Sequence, residues 1–191
     1  MEAFLVSTGV VAIAEIGDKT QLLAFFLSAK FRKPVPIVLA IFVATIANHA
    51  FAGALGSWVA SFLEPQTQRW VLGASFIAMA LWTLVPDKLD DPQTADARFG
   101  VFGTTLLAFF VLEMGDKTQV ATIALAAQYQ AVAAVVAGTT LGMMLANVPA
   151  VFAGAHFAHR LPQKLVRSVA AGIFAILGLA TLAGAGARLG F

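Results

Sequence analysis

Two octapeptides set ionisable side chains in the middle of long apolar segments: Ala14-Glu15-Ile16-Gly17-Asp18-Lys19-Thr20-Gln21 and Leu112-Glu113-Met114-Gly115-Asp116-Lys117-Thr118-Gln119. An ionisable group at bilayer depth costs roughly 2.5 to 3.5 kcal/mol on insertion scales, so by default it marks an ion or proton pathway. Read as continuous helix, Glu15 and Asp18 stand at i and i+3 on one face with Lys19 beside them at i+4, and Glu113, Asp116 and Lys117 repeat the arrangement. If the two faces oppose each other, four carboxylates and two ammonium groups share one cavity with a formal charge of -2. That value suits one divalent cation.

Carboxylate, amide and hydroxyl oxygens are the donors that Ca2+, Mg2+ and Mn2+ prefer. Gln21, Gln119, Asn48 and Asn147 add amide oxygens and Thr20 and Thr118 add hydroxyls. Gly17 and Gly115, each between two acids, permit an unwound or closely packed backbone whose carbonyls could also ligate. The spacing leaves the choice of metal open. Acids gathered at low dielectric repel one another and lose hydration, which favours their carrying protons when no metal is present. Competition between metal and proton, in a cavity open to one side at a time, is what cation/proton antiport requires.

The elements that hold these groups are membrane spans. The chain of 191 residues is 60% hydrophobic and 12% charged, with a mean hydropathy of +0.86. Soluble domains are about 45 to 50% apolar and roughly 25% charged. The absence of cysteine excludes disulfides, thiolate zinc sites and iron-sulfur clusters. The first apolar segment has no basic leader, exceeds signal-peptide length and carries the motif itself, so it is expected to be a retained helix. Breaks at charged and Pro-rich stretches give six spans, approximately 3–29, 35–62, 69–86, 99–127, 131–158 and 166–187.

Loops rich in Lys and Arg stay in the cytoplasm. Lys30, Arg32, Lys33, Lys88, Arg98, Arg160, Lys164 and Arg167 follow spans one, three and five, against only Arg69 and Arg188 on the opposite side. Both termini are therefore expected outside, in a prokaryotic cytoplasmic membrane. The expected partners are the lipid bilayer, a divalent cation and protons, with no nucleic acid; the metal is cargo and no resident cofactor is expected.

The motif is one part of a longer repeat. At an offset of 98 Glu15 maps to Glu113, Phe76 to Phe174 and Thr83-Leu84 to Thr181-Leu182, and at 99 Ala47-Asn48 maps to Ala146-Asn147. The chain divides into a first three-helix repeat (1–86), an acidic cytoplasmic linker (87–98) and a second repeat (99–191). Three is odd, so the second repeat enters from the opposite side. The expected fold is an all-α integral membrane protein of six transmembrane helices in two inverted-topology repeats, with its site near the midplane. Depth agrees: Glu15 lies 12 residues and Glu113 14 residues into their spans, roughly 18 to 21 Å along each helix.

With one Glu-x-Gly-Asp-Lys-Thr copy on the first span of each half and a polar, acidic central loop, the chain resembles the GDT family of Golgi and bacterial calcium/manganese:proton exchangers. The resemblance covers essentially the whole chain, and both motifs match without substitution. It implies that Glu15, Asp18, Glu113 and Asp116 are the cation and proton ligands and that Mn2+ or Ca2+ is exported from the cytosol.

Blander readings compete at several positions. Each Glu could pair with its own Lys merely to brace a helix contact, although two acids accompany each base. Lys19 and Lys117 could orient carboxylates, fill the site as internal cations, or lower its charge. Asn48 and Asn147 suit ligand support or ordinary interhelical hydrogen bonding. His49, which has Val148 as its counterpart, reads first as a packing histidine and second as a proton relay, and His156 and His159 as interfacial. Pro149 should kink span five by freeing the Leu145 carbonyl. Gly138-x-x-x-Gly142 and Gly53-x-x-x-Ser57 read as close helix packing. Asp87, Asp90, Asp91 and Asp96 read as a solvated linker. Two other functions remain in view: export of small cationic or zwitterionic metabolites, which calls for a carboxylate-binding base beside an amine-binding acid, and an intramembrane acid protease, whose paired-aspartate signature is absent.

Overall fold

The computed structural model describes residues 1–86, 99–153 and 163–184. They form the helices α1 (Glu2–Glu15), α2 (Lys19–Phe31), α3 (Pro34–Ala60), α4 (Pro65–Thr83), α5 (Gly100–Glu113), α6 (Lys117–Tyr129), α7 (Val132–Ala153) and α8 (Gln163–Leu182), with no strand among the described residues. The acidic linker, His156, His159, Arg160 and Arg188 lie outside the described residues. Among the described residues three helices are long and apolar enough to cross a membrane, at Pro34–Ala60, Val132–Ala153 and Lys164–Leu182, and Gly100–Glu113 is a shorter apolar helix. Much of the surface is apolar: Leu39, Phe42, Val43, Phe51 and Trp58 are all exposed along α3.

The first and fourth expected spans are each broken in the middle. Ile16 is extended (φ -65°, ψ 116°), Gly17 takes φ 81°, and the Asp18 N–H donates to the Glu15 carbonyl at 3.1 Å. This is a type II turn, whose third residue needs positive φ and so favours glycine. Met114 (φ -65°, ψ 121°), Gly115 (φ 76°) and the Asp116 N–H on the Glu113 carbonyl, at 3.1 Å, repeat it. The expectation of one continuous helical face is thereby corrected. Glu15 ends one helix, and Asp18 is the extended N-cap of the next. The repeat persists to the far ends of the broken pairs, where Arg32 and Gln130 both adopt φ 52° and their N–H groups cap the carbonyls of Ser28 and Ala126.

Each broken pair runs alongside the long helix of the other half. Along α7, Gly138 abuts the Phe4 carbonyl, Gly142 abuts Thr8 and Ala12, Gln21 donates to the Ala146 carbonyl and Ser28 to that of Val151. The contacts advance in step, so α1 and α2 together run parallel to α7. A Cβ on Gly142 would lie 2.7 Å from the Thr8 carbonyl oxygen, which is why small residues occupy this seam. In the other half α3 packs on α5 and α6, with Gly56 against the Ile123 backbone. Gly53 meets Val132 and Val136, joining the late turns of α3 to the start of α7.

Two apolar cores flank the breaks. One gathers α1, α4, α6 and α8 around Phe76, Leu125 and Phe174; the other gathers α2, α3, α5 and α7 around Leu27, Ile41 and Phe109. Phe76 and Phe174, matched by the repeat, are both buried in the first. The polar groups of the motifs lie between them.

Candidate cation site

Glu15 and Glu113 are each 0% exposed, and Asp116 is nearly so. Ligand oxygens of Glu15, Glu113 and Asp116 all lie within 4.8 Å of one another, close to twice a Ca–O bond of about 2.3 to 2.6 Å. One ion can therefore touch all three. Asp18 stands outside this group, with Oδ1 3.9 Å from Lys117 Nζ. Lys19 Nζ lies 2.8 Å from Asp116 Oδ1. Each lysine thus reaches across to the aspartate of the other motif.

The two glutamates occupy unequal surroundings. Glu15 accepts hydrogen bonds from Thr20 on one carboxylate oxygen and from Thr118 on the other, one donor from each motif. Neither oxygen of Glu113 has a hydrogen-bond partner among the described residues. His49 Nε2 lies 3.9 Å from Glu113 Oε2, with both side chains fully buried.

The amides proposed as donors hold the backbone. Gln21 Oε1 accepts the Gly17 N–H at 2.9 Å and Gln119 Oε1 accepts that of Gly115 at 2.8 Å. Each fixes its turn from the first turn of the helix that follows, a variant of the capping box. Asn48 Nδ2 donates to the Phe110 carbonyl at 3.0 Å. That carbonyl lies in the last turn of α5, where the Met114 N–H turns to Val111 instead. Asn147, its counterpart by the repeat, donates within its own helix to the Met143 carbonyl at 3.1 Å, and its Oδ1 has no partner among the described residues. Around Pro149 the α7 carbonyls drawn into tertiary bonds are those of Ala146 and Val151, with no such bond described for Leu145.

Two features escaped the sequence reading. One is the approach of His49 to Glu113. The other is a pair of fully or almost fully buried hydroxyls, Ser7 in α1 and Thr105 in α5, neither with a hydrogen-bond partner among the described residues. The same offset of 98 relates them, so the signal was available.

Known proteins resemble this chain over nearly its whole length. The family model described as divalent cation/proton antiporter GDT1 matches residues 3–91 and 101–188. A Vibrio cholerae protein named "Putative manganese exporter" is 52% identical over 182 residues, covering 95% of this chain and 90% of its own length. The GDT1-like protein sll0615 of Synechocystis is 28% identical, covering 91% of this chain and 93% of itself, and GDT1-like protein 3 of Oryza sativa is 27% identical, covering 91% and 71%. No solved structure matches. Both halves of the chain fall within the matched model, and the chain belongs to the GDT1 family of divalent cation/proton antiporters.

Proposed function

We propose that this chain carries a divalent cation, Mn2+ with Ca2+ as the alternative, out of the cytosol in exchange for protons by alternating access to one carboxylate site. The observation that carries the reading is the convergence of Glu15, Glu113 and Asp116 between two helix breaks in an apolar molecule. Three carboxylates and the Lys19 ammonium paired with Asp116 sum to -2, matched to one divalent cation. A cation and protons compete for the same closely spaced carboxylate oxygens. An entering cation therefore releases protons, and its departure lets them return. The name of the Vibrio cholerae relative supports Mn2+.

Six spans in two inverted repeats, 1–86 and 99–191 joined by 87–98, complete the proposal, in a cytoplasmic membrane with both termini outside. The parallel course of α1 and α2 along α7 supports it, because a pair that accompanies a full apolar helix crosses the same thickness. Asp18 is assigned as the counterpart of Asp116. In the opposite-facing state Asp18 joins the glutamates, the Lys117–Asp18 pair closes and the Lys19–Asp116 pair opens. Lys19 and Lys117 thus act as alternating counter-ions, while Thr20 and Thr118 orient Glu15. Gln21, Gln119 and Asn48 support the breaks, and Asn147 is assigned as the counterpart of Asn48.

Transport into proteoliposomes across an imposed pH gradient tests the function. Mn2+ uptake is expected to move protons the other way, and Glu15→Gln and Glu113→Gln are each expected to abolish both fluxes. Metal flux indifferent to the gradient, or unchanged transport in both variants, would refute it.

A further inference from the structure

His49 is the largest buried polar side chain that the exchange described above leaves without a role. It is 0% exposed in the middle of α3, and neither ring nitrogen has a hydrogen-bond partner among the described residues. Buried polar groups are normally satisfied, so an orphaned imidazole calls for a ligand or a function. Its Nε2 lies 3.9 Å from Glu113 Oε2, and both oxygens of Glu113 are equally without a hydrogen-bond partner. Glu113 is also the carboxylate that closes on Glu15 and Asp116. The unsatisfied imidazole therefore stands beside Glu113, next to but outside the group of three carboxylates that lie within 4.8 Å of one another.

We propose that His49 Nε2 is a nitrogen ligand of the transported cation and sets the preference of the site for Mn2+ and related first-row ions over Ca2+ and Mg2+. Two donors bound to one ion at about 2.0 to 2.1 Å each can stand no more than about 4.2 Å apart. The observed 3.9 Å lies within that reach. Mn2+ shares the preference of Ca2+ and Mg2+ for carboxylate oxygen, but as a first-row transition ion it binds an added imidazole nitrogen more strongly than those two hard cations do. The carboxylates supply charge for any divalent cation; one nitrogen among them discriminates. The second half has Val148 at the equivalent position, so the nitrogen comes from one repeat only. A site built from two halves of one motif is thereby made chemically one-sided. This inference rests on the carboxylate site of the preceding subsection, and its test separates the two.

The full chain, purified and reconstituted, is loaded with Mn2+ and examined by pulsed electron paramagnetic resonance. A nitrogen hyperfine coupling on the bound ion is expected in the wild type and lost in His49→Gln. In vesicles, the ratio of Mn2+-driven to Ca2+-driven proton movement is expected to fall by about tenfold or more in His49→Gln, since loss of a supporting partner alone costs about 10- to 100-fold in affinity. An uncoupled Mn2+ spectrum in the wild type, or a Mn2+/Ca2+ ratio unchanged in the variant, overturns the proposal. If His49→Gln does not fold, the wild-type spectrum still decides. Loss of transport in Glu113→Gln together with unaltered selectivity in His49→Gln would sink the histidine alone. Absence of any cation-coupled proton flux in the wild type would instead sink the antiport reading.

Discussion

Glu15 takes a hydrogen bond on each carboxylate oxygen, and the two donors, Thr20 and Thr118, come from opposite halves of the chain. The Thr118 hydroxyl therefore ties one motif to the acid of the other, where an apolar replacement would leave a buried oxygen unsatisfied. A hydrogen bond to a charged group contributes about 1.5 to 3 kcal/mol. Thr118→Val is accordingly expected to raise the Mn2+ concentration for half-maximal proton flux by about tenfold to a hundredfold. Thr118→Ser, which keeps the hydroxyl, should stay near wild type; a Thr118→Val protein with unaltered half-saturation would show that the contact does not shape the site. At this scale the sequence made the four acids and their lysines legible, because charge inside an apolar run is costly enough to be informative. It could not show that each lysine crosses to the other motif, or that His49 faces Glu113, since both depend on how the two halves meet.

The helix breaks are the elements on which the site depends, and in the second of them glycine is needed for backbone conformation alone. Gly115 has φ 76°, and a Cβ built there meets nothing within 4 Å. Gly115→Ala therefore carries only the left-handed backbone penalty, about 1 to 2 kcal/mol. A folded protein is expected, with a lowered thermal midpoint and slowed exchange. Gly115→Asn, which tolerates that conformation better, should recover part of both. Gly142 is the opposite case, since an added Cβ would stand 2.7 Å from the Thr8 carbonyl oxygen and 2.9 Å from the Ala12 backbone nitrogen. Gly142→Val should force α1 from α7 and reduce the yield of folded protein in detergent far more than Gly115→Ala does. Equal yields of the two variants would contradict this division of roles. The prolines expected in the breaks between spans instead begin helices, Pro34 one residue before the expected start at 35 and Pro65 four before that at 69, because proline at the first helical position costs nothing. The breaks were harder to read: apolar residues continue across Ile16 and Met114, and nothing in hydropathy distinguishes a type II turn from another turn of helix.

Across the whole molecule the repeat is followed by most packing partners and broken by α4 and α8. These two helices pack on each other, with α8 also against α1 and α4 against α6, whereas the repeat-related pairs of α4 with α5 and α8 with α2 are slight among the described residues. Under the orientation proposed above, with Lys- and Arg-rich loops inside, α1 and α6 are the outer half-helices and α2 and α5 the inner ones. The packing then seals the site from outside. A small cavity bordered by Gly17, Asp18, Leu22, Thr83, Lys117 and Arg167 lies on the inner side of the breaks. On the proposed orientation and exchange this is an inward-facing state, and the cysteine-free chain lends itself to testing it. Lys33→Cys and Gln66→Cys serve as markers of the inner and outer faces. Leu22→Cys is expected to react with a membrane-impermeant maleimide supplied from the inner side, while Ser7→Cys, buried in the outer half of α1, should react from neither side at rest. Conditions that populate the outward-facing state should reverse the pattern, protecting Leu22→Cys and exposing Ser7→Cys to the outside. If Ser7→Cys is labelled from outside at rest while Leu22→Cys is protected, the resting state faces outward. If neither position changes under any gradient, the two-state exchange itself is excluded.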